Sequence, residues 1–147
     1  INSAGGTVDK FIGDAVMAVF GGVIPLGKPC DAALAAALLM RAALKELNAR
    51  RLARSLPPIA NGIGLHYGEV LQGAIGSSDR KDFTVIGDTV NSASRLEGLC
   101  KDFSTDLVFS DAVYAQASPA VQRNCRRVGE AKVKGREQEI TLWTIDV

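Results

Sequence analysis

The sequence predicts an α+β domain in which a mostly antiparallel sheet is covered by helices. Three observations point there. Short β-type runs outnumber helical stretches, and the first two, within VDKFIGDAVMAVF, are pinched around Gly13-Asp14 as a hairpin requires. A long segment dense in alanine and leucine runs from Asp31 to about Arg54. A second helical stripe extends from Asp88 or Thr89 to about Cys100.

Taken in order, INSAGGT is a loop-like lead without methionine, which predicts that the chain is drawn from a larger polypeptide. The first hairpin follows, with Val8, Lys10 and Ile12 sharing a strand face by the two-residue period. GGVIPLGKP then delivers the chain to the long helix. Asp31 can cap its start, Arg50, Arg51 and Arg54 suit the negative end of its dipole, and Leu56-Pro57-Pro58 ends it. IANGIGLHYG and EVLQGAIGS are β-type runs meeting at Gly68-Glu69. A polar turn SSDRKD leads to the run FTVIGD. After the second helix, LVFS reads as a strand, DAVYAQA as a short helix, and two further β-type runs flank VKGREQE. No internal repeat is present.

Composition narrows the function classes. At 147 residues, 47% hydrophobic and 22% charged, the chain can bury the core of one domain. With 17 basic against 16 acidic residues the net charge is +1, which argues against the basic footprint of a duplex-binding protein. The apolar run ALAAALLM is too short to span a bilayer. Cys30, Cys100 and Cys125 are odd in number and lack C-x-x-C spacing, so neither a disulfide framework nor a zinc site is indicated, and a reducing, cytoplasmic compartment is the simpler reading. His66 is the single histidine and is read as a strand residue with a structural hydrogen bond.

Three charged constellations stand out, each with an ordinary reading beside the functional one. Lys10 and Asp14 lie on the first hairpin, where a lysine can snorkel at a sheet margin and an aspartate can be turn chemistry. In IGDTVNSASRLEGLC, Thr89, Ala93, Leu96 and Cys100 form a stripe toward the sheet, and Asn91 and Arg95 lie one turn apart on the other side. An amide and a guanidinium there suit a phosphate or ribose, or else a solvated face with Arg95 paired to Glu97 or Glu46. In KVKGRE, Lys134 could reach a triphosphate, while Lys132 and Arg136 read as a strand edge decorated with charge.

Taken jointly, GGTVDKFIGDAVMAVFG, GIGLHYGEVLQGAIGSSDRKDFTVIGDTVNSASRLE and AKVKGRE resemble, in the same order, the catalytic domain of class III nucleotidyl cyclases. The resemblance covers nearly all of residues 1–147, as one domain. It implies a ferredoxin-like core and a homodimer with two active sites shared between subunits. It also implies conversion of ATP to 3′,5′-cyclic AMP and pyrophosphate, with two divalent ions, magnesium or manganese. By position, Asp14 matches a metal-binding aspartate. Lys10 matches the purine-selecting residue and Thr84 its partner, a combination that points to ATP rather than GTP. Asn91 and Arg95 match the pair that orient the ribose and stabilise charge on the α-phosphate, and Lys134 matches a lysine for the terminal phosphates. One departure stands against this. The family's first metal aspartate lies on an N-terminal strand, and no β-type run with an aspartate precedes Gly5-Gly6. Either that strand lies upstream, in which case the given chain alone is expected to be inactive, or the domain is a silent module that binds nucleotide or only dimerises. A guanylyl cyclase is the nearer alternative.

Overall fold

The computed structural model describes residues 1–133 and 137–146. Its strands are β1 (Thr7–Ile12), β2 (Ala15–Val19), β3 (Ile63–Leu65), β4 (Leu71–Ser77), β5 (Arg80–Ile86), β6 (Leu107–Ser110), β7 (Cys125–Lys132) and β8 (Glu139–Ile145). Its α-helices are α1 (Pro29–Ala53), α2 (Asp88–Leu99), α3 (Asp111–Gln116) and α4 (Pro119–Gln122). Among the described residues the strands form three ladders: a sheet in the order β3-β6-β8-β7, and the hairpins β1-β2 and β4-β5. Every pairing is antiparallel except β3 with β6. The α+β class with a mostly antiparallel sheet is therefore as expected. The runs around Gly68-Glu69 do not pair with each other, because β3 runs parallel to β6 while β4 turns back on β5.

Alternation along the central strands builds two cores. Leu107 and Phe109 of β6 pack with Leu34 and Ala37 of α1 and Val113 of α3. Val108, between them, joins Leu142 of β8, Leu96 of α2 and Cys100 just past the end of that helix. Successive side chains on a strand point to opposite faces, so one helix set covers each face of the sheet. Beside the first core the rings of Tyr114 and Trp143 stack at 3.9 Å. Among the described residues, no helix is long and apolar enough to cross a membrane.

Two helix details depart from expectation. Helix α1 starts at Pro29, whose missing N–H and fixed φ suit the first turn. Asp31 consequently lies inside the helix and does not cap it. Its Oδ1 instead accepts a 2.8 Å hydrogen bond from the backbone N–H of Ser118, tying the start of α1 to the loop before α4. At the other end the helix stops before the proline pair, with Ser55 at a φ of 57° and the Arg51 Nε donating to the Pro57 carbonyl at 2.8 Å. On α2 the buried stripe centres on Ser92, Leu96 and Cys100, with Ala93 only partly covered. The stripe turned this way because β3 presses against the helix backbone. A Cβ on Gly64 would lie 2.3 Å from both the Ala93 carbonyl oxygen and the Glu97 nitrogen.

That close approach carries a stability consequence. Backbone on both sides cannot give way as a side chain could, so Gly64→Ala must push α2 off the sheet. Overpacking of this kind costs about 1–3 kcal/mol. Urea denaturation followed by circular dichroism should show a lowered midpoint with an unchanged slope; an unaltered midpoint would contradict the close packing of α2 on β3.

Candidate active site

The first hairpin turns at Gly13, whose φ of 60° is the left-handed conformation a tight hairpin turn needs, and Asp14 follows it at the exposed tip. Further back on β1 the ladder is irregular. Val8 pairs with Ala18 and Lys10 with Met17, so two residues of β1 advance the register by one residue of β2. Paired residues share a face and neighbours on β2 alternate, which puts Val8 and Lys10 on opposite faces. The shared face expected for Val8, Lys10 and Ile12 thus holds only for Lys10 and Ile12.

From this position Lys10 reaches out of its own hairpin. Its Nζ donates a hydrogen bond to Oγ1 of Thr84, a buried residue of β5 that pairs across its ladder with Gly73. The same ammonium lies 3.5 Å from Oδ2 of Asp9. The two residues proposed from the sequence to act as partners, Lys10 and Thr84, are therefore in contact across 74 positions of chain. Asp9 was not singled out by sequence reasoning. Simple alternation assigns it to the face opposite Lys10, and only the bulge removes that separation.

Asn91 and Arg95 lie exposed on α2. Arg95 is not paired with Glu97 or Glu46. Its Nε donates to the backbone carbonyl of Lys132 at 2.7 Å, which fixes the stem while the Nη groups stay available to an anion. The start of α2 has no side-chain cap, since Gly87 occupies that position. The side chains of Asp14 and Asn91 make no hydrogen bond or ion pair with another described residue. Lys134 lies outside the described residues. Elsewhere, Thr89 donates from Oγ1 to the Glu69 carbonyl at 2.6 Å, which ties the α2 entry to the β3–β4 connection. His66 lies one residue past β3, not in a strand as expected, while its Nδ1 is 2.8 Å from Oγ of the buried Ser110, the structural hydrogen bond expected of it.

Among the described residues, no group of three or more histidine, cysteine, aspartate or glutamate side chains is placed to hold a metal ion. Asp14 offers one carboxylate, whereas a magnesium ion takes six oxygen ligands in near-octahedral array. The described residues alone therefore do not make up a two-ion centre.

Comparison with known proteins places the chain in a family. The family described as "Adenylate and Guanylate cyclase catalytic domain" matches residues 6–146. An adenylate cyclase of Anabaena cylindrica is 39% identical over 150 aligned positions, which take in 99% of this chain and 29% of that protein. The chain thus spans under a third of that relative. Among solved structures, the adenylyl cyclase CyaB from P. aeruginosa superposes with a TM-score of 0.83 at 28% identity, over 99% of this chain and 74% of that one. The guanylyl cyclase Cya2 does so with a TM-score of 0.80 at 28% identity, over 98% and 71%.

The cysteines take no part in the candidate site. All three are free thiols, and Cys30 and Cys100 are buried. Burial, with Asp31 adding to it, pushes the Cys30 thiol up from 9.0 to about 11, and burial likewise raises Cys100 and Cys125. A raised value keeps a thiol protonated to higher pH, so only about one Cys30 in a thousand is thiolate at pH 8. Cys30 and Cys100 should therefore resist a disulfide reagent in the folded protein at pH 8 and all three should react in denaturant. Fast labelling of native Cys30 would contradict its placement.

Proposed function

Because the chain belongs to the adenylate and guanylate cyclase catalytic-domain family, we propose that residues 1–147 belong to a catalytic domain that turns ATP into 3′,5′-cyclic AMP and pyrophosphate. The observation that carries the choice of ATP is the contact between Lys10 and Thr84. An ammonium has donors only, and a hydroxyl oxygen can accept as well as donate. Adenine offers an acceptor at N1 beside the donor pair on N6, so Lys10 serves N1 and Thr84 serves N6. Guanine has donors at both N1 and N2 and would turn two like groups toward a lysine. A site with fixed polar groups rejects the wrong base strongly, because its own groups are then left unpaired.

The reaction this reading implies is an in-line attack of the ribose 3′ oxygen on the α-phosphorus. The 3′ hydroxyl loses its proton to water as the new bond closes the cyclic phosphodiester, the bond to the bridging oxygen breaks, and pyrophosphate leaves with that electron pair. Arg95 supports charge on the α-phosphate oxygens through the Nη groups that its tether to Lys132 leaves available. Asn91, one turn before Arg95, orients the ribose. Lys134 takes the terminal phosphates, as a compact ammonium charge suits them. Asp14 would contribute one carboxylate to the two divalent ions, magnesium or manganese, that would lower the 3′ hydroxyl pKa and clamp the pyrophosphate.

We further read the active form as a homodimer with shared sites. Supporting it, Phe11 on the first hairpin is 75% exposed, and Leu71 and its ladder partner Ile86 on the second are 64% and 44% exposed. Large apolar side chains left open on two neighbouring hairpins mark an interaction surface. In such a dimer Lys10 and Asp14 serve different sites.

Substrate choice gives the test. The unaltered full-length protein should form cyclic AMP from ATP well ahead of cyclic GMP from GTP, and Lys10→Glu should reduce that preference at least tenfold. Comparable rates with both nucleotides in the unaltered protein would overturn the assignment.

A further inference from the structure

Asp9 has an unusual environment. Its side chain is 5% exposed, against 41% for the neighbouring Lys10. Its Oδ2 is buried and accepts no hydrogen bond among the described residues, while the Lys10 Nζ lies 3.5 Å from it. A buried carboxylate oxygen without a donor is costly unless a positive charge offsets it. Successive residues of a regular strand cannot pair in this way, since they point to opposite faces. The extra residue between Val8 and Lys10 brings the two together, and bulges characteristically re-aim a side chain beside a site. Asp9 also lines, with Thr7, Val19, Gln72 and Phe83, a cavity of about 250 Å³ between the two hairpins.

From this geometry we infer that Asp9 is a positioning residue: it holds the Lys10 ammonium against Thr84 and so sets how well the site tells one purine from the other. The inference rests on the reading of Lys10 as a base-contacting group. Of the three ammonium protons, one goes to Thr84 and one faces Asp9, which leaves one directed at the base. A lysine on a four-carbon stem otherwise samples many positions, and a freely moving ammonium can serve the guanine carbonyl oxygen as readily as adenine N1. Removing the Asp9 charge therefore loosens discrimination while leaving the groups that perform the transfer in place.

The experiment measures kcat/KM for ATP and for GTP on single preparations of the full-length protein. The ratio of the two is independent of the folded fraction, so partial misfolding of a variant does not obscure it. Asp9→Asn should lower the ATP-to-GTP ratio roughly fivefold or more, mainly through a higher KM for ATP. Asp9→Glu, which restores the charge, should recover part of the ratio. In a Lys10→Ala background, Asp9→Asn should change the ratio no further. Equal losses with both nucleotides, or an equal effect in the Lys10→Ala background, would make Asp9 a structural acid and overturn the inference alone. A parent protein without ATP preference, or one whose preference survives Lys10→Ala, would overturn this inference together with the reading of Lys10 on which it rests.

Discussion

The hydrogen bond from Lys10 to Thr84 spans two hairpins that no backbone ladder joins among the described residues. Each hairpin is internally paired, but a two-stranded ribbon by itself is marginal in water, and its orientation has to come from side chains. Lys10 supplies such a link from β1 to β5, and the cavity lined by Asp9, Gln72 and Phe83 lies between the same elements. Moving either ribbon would separate the ammonium from the hydroxyl. In the proposed site that would dismantle base recognition before it affected any group near the phosphates.

The phosphate side is organised differently. Arg95 and Asn91 ride on α2, and α2 is anchored by burial of Leu96 and Cys100 and by the close approach of Gly64 beneath it. Its entry is held by the Thr89 hydroxyl on the Glu69 carbonyl, and the Arg95 stem by the Lys132 carbonyl. The proposed base recognition thus depends on polar contacts between ribbons, whereas the groups proposed to act on the phosphates depend on a packed core. Changes at Lys10, Thr84 or Asp9 should accordingly alter selectivity more than stability, and changes beneath α2 should do the reverse.

Much of this was legible in the sequence because it is local. The spans of α1 and α2, the Gly13 turn and the strand runs on either side of it follow from periodicity and turn chemistry, which act over a few residues. Pairing partners were less legible. Nothing in IANGIGLHYG states that β3 would lie parallel to LVFS instead of turning back on EVLQGAIGS, since that choice is settled by tertiary packing. Asp31 reads as a cap in the sequence, but Pro29 two residues earlier also begins a helix well, and the proline starts the helix. The bulge at Asp9 was invisible for a related reason: alternation presumes a regular ladder, and an extra residue leaves no mark on composition. The residues carried over from the family motif therefore include Lys10 and Thr84 but not the buried acid beside them.

The central claim, that Lys10 and Thr84 act as one unit in reading the base, is tested most directly by a double-mutant cycle on ATP-over-GTP selectivity with Lys10→Ala, Thr84→Ala and the combined variant. Groups joined by a hydrogen bond to a charged donor should couple by about 1.5–3 kcal/mol, so the combined variant should lose little more selectivity than Lys10→Ala alone. Independent losses that simply add, within about 0.5 kcal/mol, would show that the two residues contribute separately and would contradict the account.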